Sequence, residues 1–152
     1  MDSYQISKIL KKSRITQKCF KGVYSSNTIP PVKNFVQYPY GFVVNTDKAG
    51  KPGTHWVAFY IPNSQTAEYF DSLGIPPHGD ILNFLSAYKN VLINSKKLQS
   101  SWEISCGPHV IYFITRKCMG HSFKSIINSL STNHAYSDFY VKMFLIKLLN
   151  YE

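Results

Sequence analysis

Cys106 is the residue of this sequence best placed to act as a nucleophile. It directly precedes Gly107 and Pro108, and proline is accepted in the first turn of a helix because the N–H that it lacks would have no partner there. A cysteine at a helix start feels the positive end of the helix dipole, which lowers the pKa of the thiol and favours the thiolate. The segment therefore indicates cysteine-hydrolase chemistry, although packing in a core is the commoner use of a free cysteine.

A base and an acid for this nucleophile are predicted at the two ends of a hairpin. Strands expected at 55–61 and 66–71 are separated by residues 62–65, which have the character of a turn. With the turn centred in that break, His55 lies directly opposite Asp71 on the same face of the sheet. The carboxylate could then bind one imidazole nitrogen and leave the other as a base, whereas a register slip of one residue would separate the pair.

Three further residues compete for roles around Cys106. Gln99 lies seven residues before it, and its side-chain N–H, together with the backbone N–H of Cys106, could bind the oxyanion of a tetrahedral intermediate. His109 follows the cysteine by three residues and is a rival base without an obvious carboxylate partner. Glu103 is the nearest acid in sequence and is a rival for the role of Asp71.

The elements that must position these residues follow a pattern of strands first and helices mainly afterwards. This order predicts an α+β fold in which a central mixed or antiparallel sheet is flanked by helices and a buried helix starts at Cys106. Residues 22–39 hold three prolines and are expected to be irregular. Helices are predicted at 3–12 (capped by Ser3), 80–89, 107–119, 121–131 and 138–149, and strands at 41–45, 55–61, 66–71, 91–93 and 98–103.

Composition favours one globular domain spanning residues 1–152. Apolar residues make up 44% of the sequence and charged residues 16%, and no apolar run is long enough to cross a membrane. The N-terminus lacks the character of a signal peptide, so an intracellular protein is expected. The three cysteines are an odd number at irregular spacings, which predicts free thiols rather than a disulfide framework, and no zinc-site spacing is present.

The chain carries a formal net charge of +9. Residues 1–51 contain nine basic and two acidic residues, and such an excess raises the non-specific affinity for polyanions, nucleic acid above all. A solvated helix face with no binding role is the alternative explanation. No helix-turn-helix, zinc-finger or RNP motif indicates sequence-specific readout.

At the residues described above the chain resembles adenain, the adenovirus-type cysteine protease family, with relatives in virophages and in Maverick or Polinton transposons. Residues 53–59, GTHWVAF, match the family's G-x-H-W-x-A-F box, and residues 69–74, YFDSLG, match its acid strand. Gln99 and Cys106 follow in the family's order and spacing. The similarity extends from near the N-terminus to about residue 119.

The resemblance implies a role for each matching residue. Cys106 would be the nucleophile, His55 the general base and acid, Asp71 the residue that orients the histidine, and Gln99 the oxyanion donor. Trp56 and Gly107 would line the substrate cleft. The implied fold is the one that adenain shares with ubiquitin-like-protein proteases, in which the order His, Asp, Cys reverses that of papain.

The function implied is processing of viral capsid or core precursor proteins at glycine-containing sites during virion maturation. Viral precursor proteins would be the substrates of a monomeric enzyme that needs no metal and no membrane. DNA and an activating viral peptide are the cofactors known for the family. The protease would act in the host nucleus or a viral factory, or be packaged in the virion.

The chain departs from the family at two points. Asp71 stands where adenain has glutamate, and ubiquitin-like-protein proteases also use aspartate there. No cysteine occurs near Tyr88, where adenain pairs covalently with its activating peptide, so disulfide-linked activation is not expected. Two other functions remain open at this stage, a protease that removes ubiquitin-like modifiers and an inactive nucleic-acid-binding or scaffold protein on the same fold.

Overall fold

The computed structural model describes residues 1–51, 55–100, 105–130 and 133–151. Its elements in chain order are α1 (Ser3–Lys12), β1 (Phe20–Ser25), a 3-10 turn (Val32–Asn34), β2 (Tyr40–Asn45), β3 (Trp56–Asn63), β4 (Thr66–Phe70), α2 (Gly79–Leu85), β5 (Asn90–Ile93), α3 (Cys106–Cys118), α4 (Phe123–Ser129) and α5 (His134–Tyr151).

The strands of the described chain form one mixed sheet in the order β1-β2-β3-β4-β5. β2, β3 and β4 are antiparallel to one another, whereas the outer strands β1 and β5 run parallel to their neighbours β2 and β4. The middle strands are almost continuously apolar and buried, as strands covered on both faces must be. The predicted α+β fold with a mixed sheet is confirmed.

Helices cover both faces of this sheet, and the side chains of β3 alternate between them. Its even-numbered residues Trp56, Ala58 and Tyr60 pack in one core with residues of α1, α3 and α5. Its odd-numbered residues Val57, Phe59 and Ile61 pack in a second core with residues of α2. This alternation follows from the two-residue period of a strand, and it gives α3 a fixed position against the sheet.

The buried helix predicted to begin at Cys106 is present as α3, and its residues Cys106 to Thr115 are all buried. One charged pair joins the helix to the sheet, because Lys117 Nζ lies 3.0 Å from the Glu68 carboxylate on β4. The ammonium group also lies 4.9 Å from the centre of the Tyr60 ring. A buried carboxylate is tolerated only when paired, so this contact favours one position of α3 along the sheet.

Several predicted boundaries are wrong. The region 22–39, expected to be irregular, begins with most of β1, because pairing with β2 outweighs the weak strand signal of FKGVYS. Asp2, rather than Ser3, caps α1 by accepting from the backbone N–H of Gln5. The strand suggested at 98–103 is not formed at 98–100, and residues 101–104 lie outside the described residues.

The prediction of three free thiols is wrong for two of them. The structure joins Cys19 to Cys118, which lie 99 residues apart in the chain. Cys19 precedes β1 and Cys118 ends α3, and both pack against the same core as α1. The spacing of the two cysteines in the sequence does not predict this proximity, because only the fold brings the two elements together. Cys106 remains a free cysteine.

Membrane-spanning helices and metal-binding clusters are both absent from the described residues. None of the helices there has both the length and the apolar character needed to cross a bilayer. No group of three or more histidine, cysteine, aspartate or glutamate side chains is close enough, within those residues, to hold a metal ion.

Candidate active site

The hairpin of β3 and β4 brings His55 and Asp71 into contact. Nε2 of His55 lies 2.6 Å from Oδ1 of Asp71. His55 immediately precedes β3 and Asp71 immediately follows β4, so both stand at the same end of the hairpin. The contact joins two side chains that are largely shielded from water, since His55 is 12% exposed and Asp71 is 2% exposed.

The register that produces this contact differs from the predicted one. Phe59 pairs with Tyr69, and an irregularity lies between Tyr60 and Asn63. His55 is therefore offset by two residues from the position directly opposite Asp71. Because side chains alternate with a period of two, an offset of two residues keeps both on the same face, and diagonal neighbours remain within reach of long side chains.

Asp71 is held by the segment that follows it and by the edge of the sheet. Its Oδ1 also accepts from the backbone N–H of Leu73 at 2.8 Å. Asn94, just beyond β5, accepts from the Asp71 N–H at 2.9 Å and donates to its carbonyl at 2.6 Å. Gly74 closes the turn with φ +68°, where a Cβ would lie 2.7 Å from the Ser95 carbonyl oxygen, so only glycine fits.

Cys106 lies at the N-terminus of α3, and its thiol interacts with the imidazole of His55. Burial by itself would raise the pKa of the thiol, but the hydrogen bond with His55 and the backbone N–H groups of Trp56 and Gly107 lower it below the ordinary value. Burial would likewise lower the pKa of His55, yet hydrogen bonds with Asp71 and Cys106 raise it to about 9. Both shifts favour the thiolate–imidazolium pair over the neutral thiol and imidazole.

Gln99 is oriented by the residue that follows the acid. The Ser72 hydroxyl donates to Oε1 of Gln99, and the Ser72 carbonyl accepts from the backbone N–H of Gln99 at 3.0 Å. Gln99 is 5% exposed, and because its side-chain oxygen faces Ser72 its NH₂ group points away from Ser72. The role of this amide as an oxyanion donor stays a prediction.

Trp56 and Gly107, predicted to line the cleft, both contact the N-terminal residue of the chain. The Trp56 indole donates to the carbonyl of Met1 at 3.2 Å. A Cβ on Gly107 would lie 3.0 Å from both Cβ and Sδ of Met1. Met1 therefore restricts the space beside Trp56 and Gly107, and a side chain at position 107 would force Met1 to move.

The rival residues are placed differently. His109 is fully buried, with Nδ1 2.8 Å from the Ser105 carbonyl oxygen and Nε2 3.9 Å from Oδ1 of Asp138. The expectation that no carboxylate lies near His109 is thus wrong, because α5 supplies one. Burial lowers the pKa of His109, which favours its neutral form. Glu103, like Gly53 and Thr54 of the histidine box, lies outside the described residues.

Sequence reasoning missed the polar residues that support this site. Ser72 and Asn94 each follow a strand end and bind the segment around Asp71. Their only sequence signal is their position, a polar residue at the end of an apolar strand. That signal is too common to identify them, since many strands end in a polar turn.

The arrangement has the parts that acyl transfer through a cysteine requires. A thiol of lowered pKa lies beside an imidazole of raised pKa, which is in turn bound by a carboxylate. A buried carboxamide and the backbone N–H at the start of α3 are the candidate donors for a developing oxyanion.

Comparisons with known proteins agree with this chemistry. The chain is 27% identical over 122 residues to the cysteine protease S273R of African swine fever virus (isolate Tick/Malawi/Lil 20-1/1983), covering 70% of this chain and 44% of the relative. It is 34% identical over 101 residues to R355 of Acanthamoeba polyphaga mimivirus, whose name assigns it provisionally as a thiol protease, covering 59% and 33%. No protein-family model matches the chain.

Solved structures share the fold. The crystal structure of the African swine fever virus pS273R protease superimposes with a TM-score of 0.67 at 20% identity, covering 92% of this chain and 65% of that one. The central domain of the uncharacterized Lpg1148 protein from Legionella pneumophila gives a TM-score of 0.54 at 18% identity, covering 99% and 98%.

The chain spans less than half the length of these curated viral relatives. Its homologues are viral cysteine proteases, from African swine fever virus and mimivirus. The similarity is therefore to viral cysteine proteases in general, and it does not single out the adenovirus-type family suggested by the sequence motifs.

Proposed function

We propose that this chain is a viral cysteine endopeptidase in which Cys106 is the nucleophile and His55 the general base and acid. Asp71 orients the histidine, and Gln99 donates to the oxyanion. The observation that carries the proposal is the position of the His55 imidazole between the Asp71 carboxylate, 2.6 Å away, and the thiol at the start of α3. The homology to viral cysteine proteases supports it independently.

In the proposed mechanism, the Cys106 thiolate attacks the carbonyl carbon of the scissile peptide bond. The oxyanion that forms accepts hydrogen bonds from the Gln99 amide and the Cys106 N–H. The imidazolium of His55 then donates its proton to the leaving amine as the C–N bond breaks, which leaves a thioester on Cys106. Water activated by the neutral imidazole hydrolyses the thioester and restores the thiol.

Viral precursor proteins are the proposed substrates, with glycine beside the scissile bond. Support for glycine comes from the crowding around the nucleophile, because Cys106 is only 5% exposed. Trp56 and Gly107 both lie against Met1, which narrows the approach further. A residue without a side chain reaches such a thiol with the least steric conflict.

The proposal is tested with internally quenched peptides that contain Gly-Gly or Gly-Ala bonds at varied positions. Wild-type protein should cleave a subset of them, and Cys106→Ala should show no cleavage above the uncatalysed rate while keeping the same melting temperature. The double variant Cys19→Ala, Cys118→Ala is the control for loss of a cysteine, because it removes both partners of the disulfide together and creates no unpaired thiol. Cleavage by Cys106→Ala, or none by wild type, would refute the proposal.

A second candidate is a protease that removes ubiquitin-like modifiers. The observation that favours it is a relative from another African swine fever virus isolate that is named a SUMO-1 cysteine protease, 26% identical over 122 residues. A SUMO-1 vinyl sulfone probe separates the two functions. Rapid labelling of Cys106 by the probe, with little cleavage of free peptides, would favour removal of modifiers.

A further inference from the structure

We propose that Asp138 is a positioning residue that holds the nucleophile and the oxyanion glutamine at their working separation. This inference rests on the proposed function. Asp138 lies in α5, far from Cys106 in sequence, and is 3% exposed. Its Oδ2 accepts from the backbone N–H of Ser100 at 3.1 Å, and its Oδ1 accepts from the Ser105 hydroxyl at 2.6 Å.

The two residues that Asp138 binds are the immediate neighbours of the two proposed oxyanion donors. Ser100 follows Gln99, and Ser105 precedes Cys106. One carboxylate therefore links the chain on both sides of residues 101–104. Because each bound group is one residue from a donor, movement of either would displace the donor by a similar amount. Displacements of about 1 Å are enough to reduce catalysis substantially.

Ser105 is held from a second direction by His109. Nδ1 of His109 lies 2.8 Å from the Ser105 carbonyl oxygen, and the His109 backbone N–H donates to the same oxygen at 3.0 Å. The hydroxyl of Ser105 is bound by Asp138 and its carbonyl by His109. The residue before the nucleophile is thus fixed at both its side chain and its backbone.

Burying a carboxylate at position 138 costs free energy, so its presence indicates a role that an apolar side chain could not perform. α5 packs against α3 through apolar residues such as Val141 and Leu145, and a leucine at position 138 would extend that contact. A buried charge requires hydrogen-bond donors, and here they come from Ser100 and Ser105. Charge-assisted hydrogen bonds are stronger than neutral ones, which suits a link between two segments that must keep a fixed distance.

The proposed role of Asp138 predicts different effects on two reactions of Cys106. Alkylation of Cys106 by iodoacetamide needs the thiolate but forms no oxyanion. Peptide hydrolysis needs both the thiolate and the oxyanion donors. Asp138 contacts neither His55 nor Asp71 in the described structure. Loss of Asp138 should therefore impair hydrolysis and leave alkylation almost unchanged.

The decisive variant is Asp138→Asn, which keeps the shape of the side chain. The amide oxygen can still accept from the Ser100 N–H, but the NH₂ group can bind Ser105 only by donating to its hydroxyl oxygen. Both links then become neutral hydrogen bonds, which are weaker than the charge-assisted bonds that they replace. We expect kcat for a cleaved Gly-Gly peptide to fall about 10- to 100-fold with little change in KM. The rate of Cys106 alkylation should stay within about twofold, because thiolate formation depends on His55.

Asp80→Asn is the matched control, since it removes the same charge from the exposed first turn of α2. It should leave both reactions unchanged. Ser105→Ala removes only one of the two links and should lower kcat less than Asp138→Asn. In the double variant the two losses should not add, because they break the same contact. Additive losses would contradict the proposal.

Amide hydrogen exchange provides a readout that does not depend on activity. Asp138→Asn should speed deuterium uptake at the Ser100 N–H, while uptake in the middle of α3 stays at the wild-type rate. Unchanged kcat or unchanged exchange at Ser100 would overturn the positioning role, as would equal losses of hydrolysis and alkylation. Absence of cleavage by wild-type protein would instead overturn the proposed function, which Cys106→Ala tests separately.

Discussion

At the scale of single residues, the two-residue segment Asp71-Ser72 controls both polar partners of the proposed nucleophile. The carboxylate of Asp71 binds His55, and the hydroxyl of Ser72 binds the carboxamide of Gln99. The base and the candidate oxyanion donor are therefore oriented from one short stretch that follows β4. A small displacement of this stretch would affect both proton transfer and oxyanion binding.

Alkylation and hydrolysis should depend differently on pH. The pKa of Cys106 is lowered, so the alkylation profile with iodoacetamide should lie below the ordinary thiol pKa, and alkylation should slow as the thiolate becomes protonated. Hydrolysis also needs the imidazolium, whose pKa is raised to about 9, so its rate should fall as pH rises through about 9. Stopped-time alkylation followed by mass spectrometry, and peptide cleavage over the same buffers, measure the two profiles.

The matched variant for this prediction is His55→Ala. Without the imidazolium, burial dominates and raises the pKa of the Cys106 thiol, so the alkylation profile should move toward alkaline pH. An alkylation profile that is identical in wild type and His55→Ala would contradict the ion pair.

Loss of the Gln99 amide should lower kcat without changing the ionisation of Cys106. For Gln99→Ala we expect a decrease of about 100- to 1000-fold in kcat, the usual effect of removing one oxyanion donor. Ser72→Ala should cost less, because it frees the carboxamide to rotate but does not remove it. Steady-state cleavage and the pH dependence of alkylation check both variants. A displaced alkylation profile in Gln99→Ala would argue against an oxyanion role.

At the scale of elements, the site depends on the parallel pairing of β4 with β5. This pairing brings Asn94, just after β5, beside the backbone of Asp71, just after β4. Asn94 lies 23 residues after Asp71 in the sequence and reaches it through the neighbouring strand. The hairpin supplies the contact between His55 and Asp71, and β5 holds the end of that hairpin in place.

Asn94→Ala should reduce both stability and activity. It removes two hydrogen bonds from buried backbone groups of Asp71, which costs about 1–3 kcal/mol when the groups are left without partners. A less ordered Asp71 should lower kcat about tenfold or more by misorienting His55. Urea unfolding and peptide cleavage measure the two effects. Asn90→Ala, an exposed asparagine at the start of β5, is the control and should change neither.

At the scale of the whole molecule, the net charge of +9 makes the protein a strong polycation. We propose that it binds DNA without sequence preference, because counterion release favours contact between lysine-rich surfaces and phosphates. Such binding would bring the protease and its substrates to the same nucleic acid when both are bound there.

Binding to a short fluorescent duplex should weaken steeply with salt. Fluorescence anisotropy should give a dissociation constant that rises at least about tenfold between about 50 and 200 mM NaCl, with equal affinities for unrelated sequences. The effect of the duplex on the rate of peptide cleavage, measured in the same buffers, tests whether DNA is also a cofactor. Salt-independent affinity, or none at low salt, would contradict the electrostatic proposal.

The sequence by itself determined the chemistry-bearing residue types and most of the elements. Alternation with a period of two identified the hairpin, and the Cys-Gly-Pro segment identified the start of the buried helix. The predicted register was displaced by two residues, yet His55 and Asp71 still met, because an even displacement preserves the face of a strand. Local patterns carry such information because they depend on the periods of helix and strand.

Only the tertiary structure decided which distant residues support the site. Asn94 binds Asp71 across 23 residues of the chain, and Asp138 binds Ser100 across 38 residues. Neither their residue types nor their spacing distinguishes them from ordinary polar or buried positions. Their roles arise when sheet pairing and helix packing bring separate segments within hydrogen-bonding distance. The periodicity of residues along a single helix or strand does not predict such contacts.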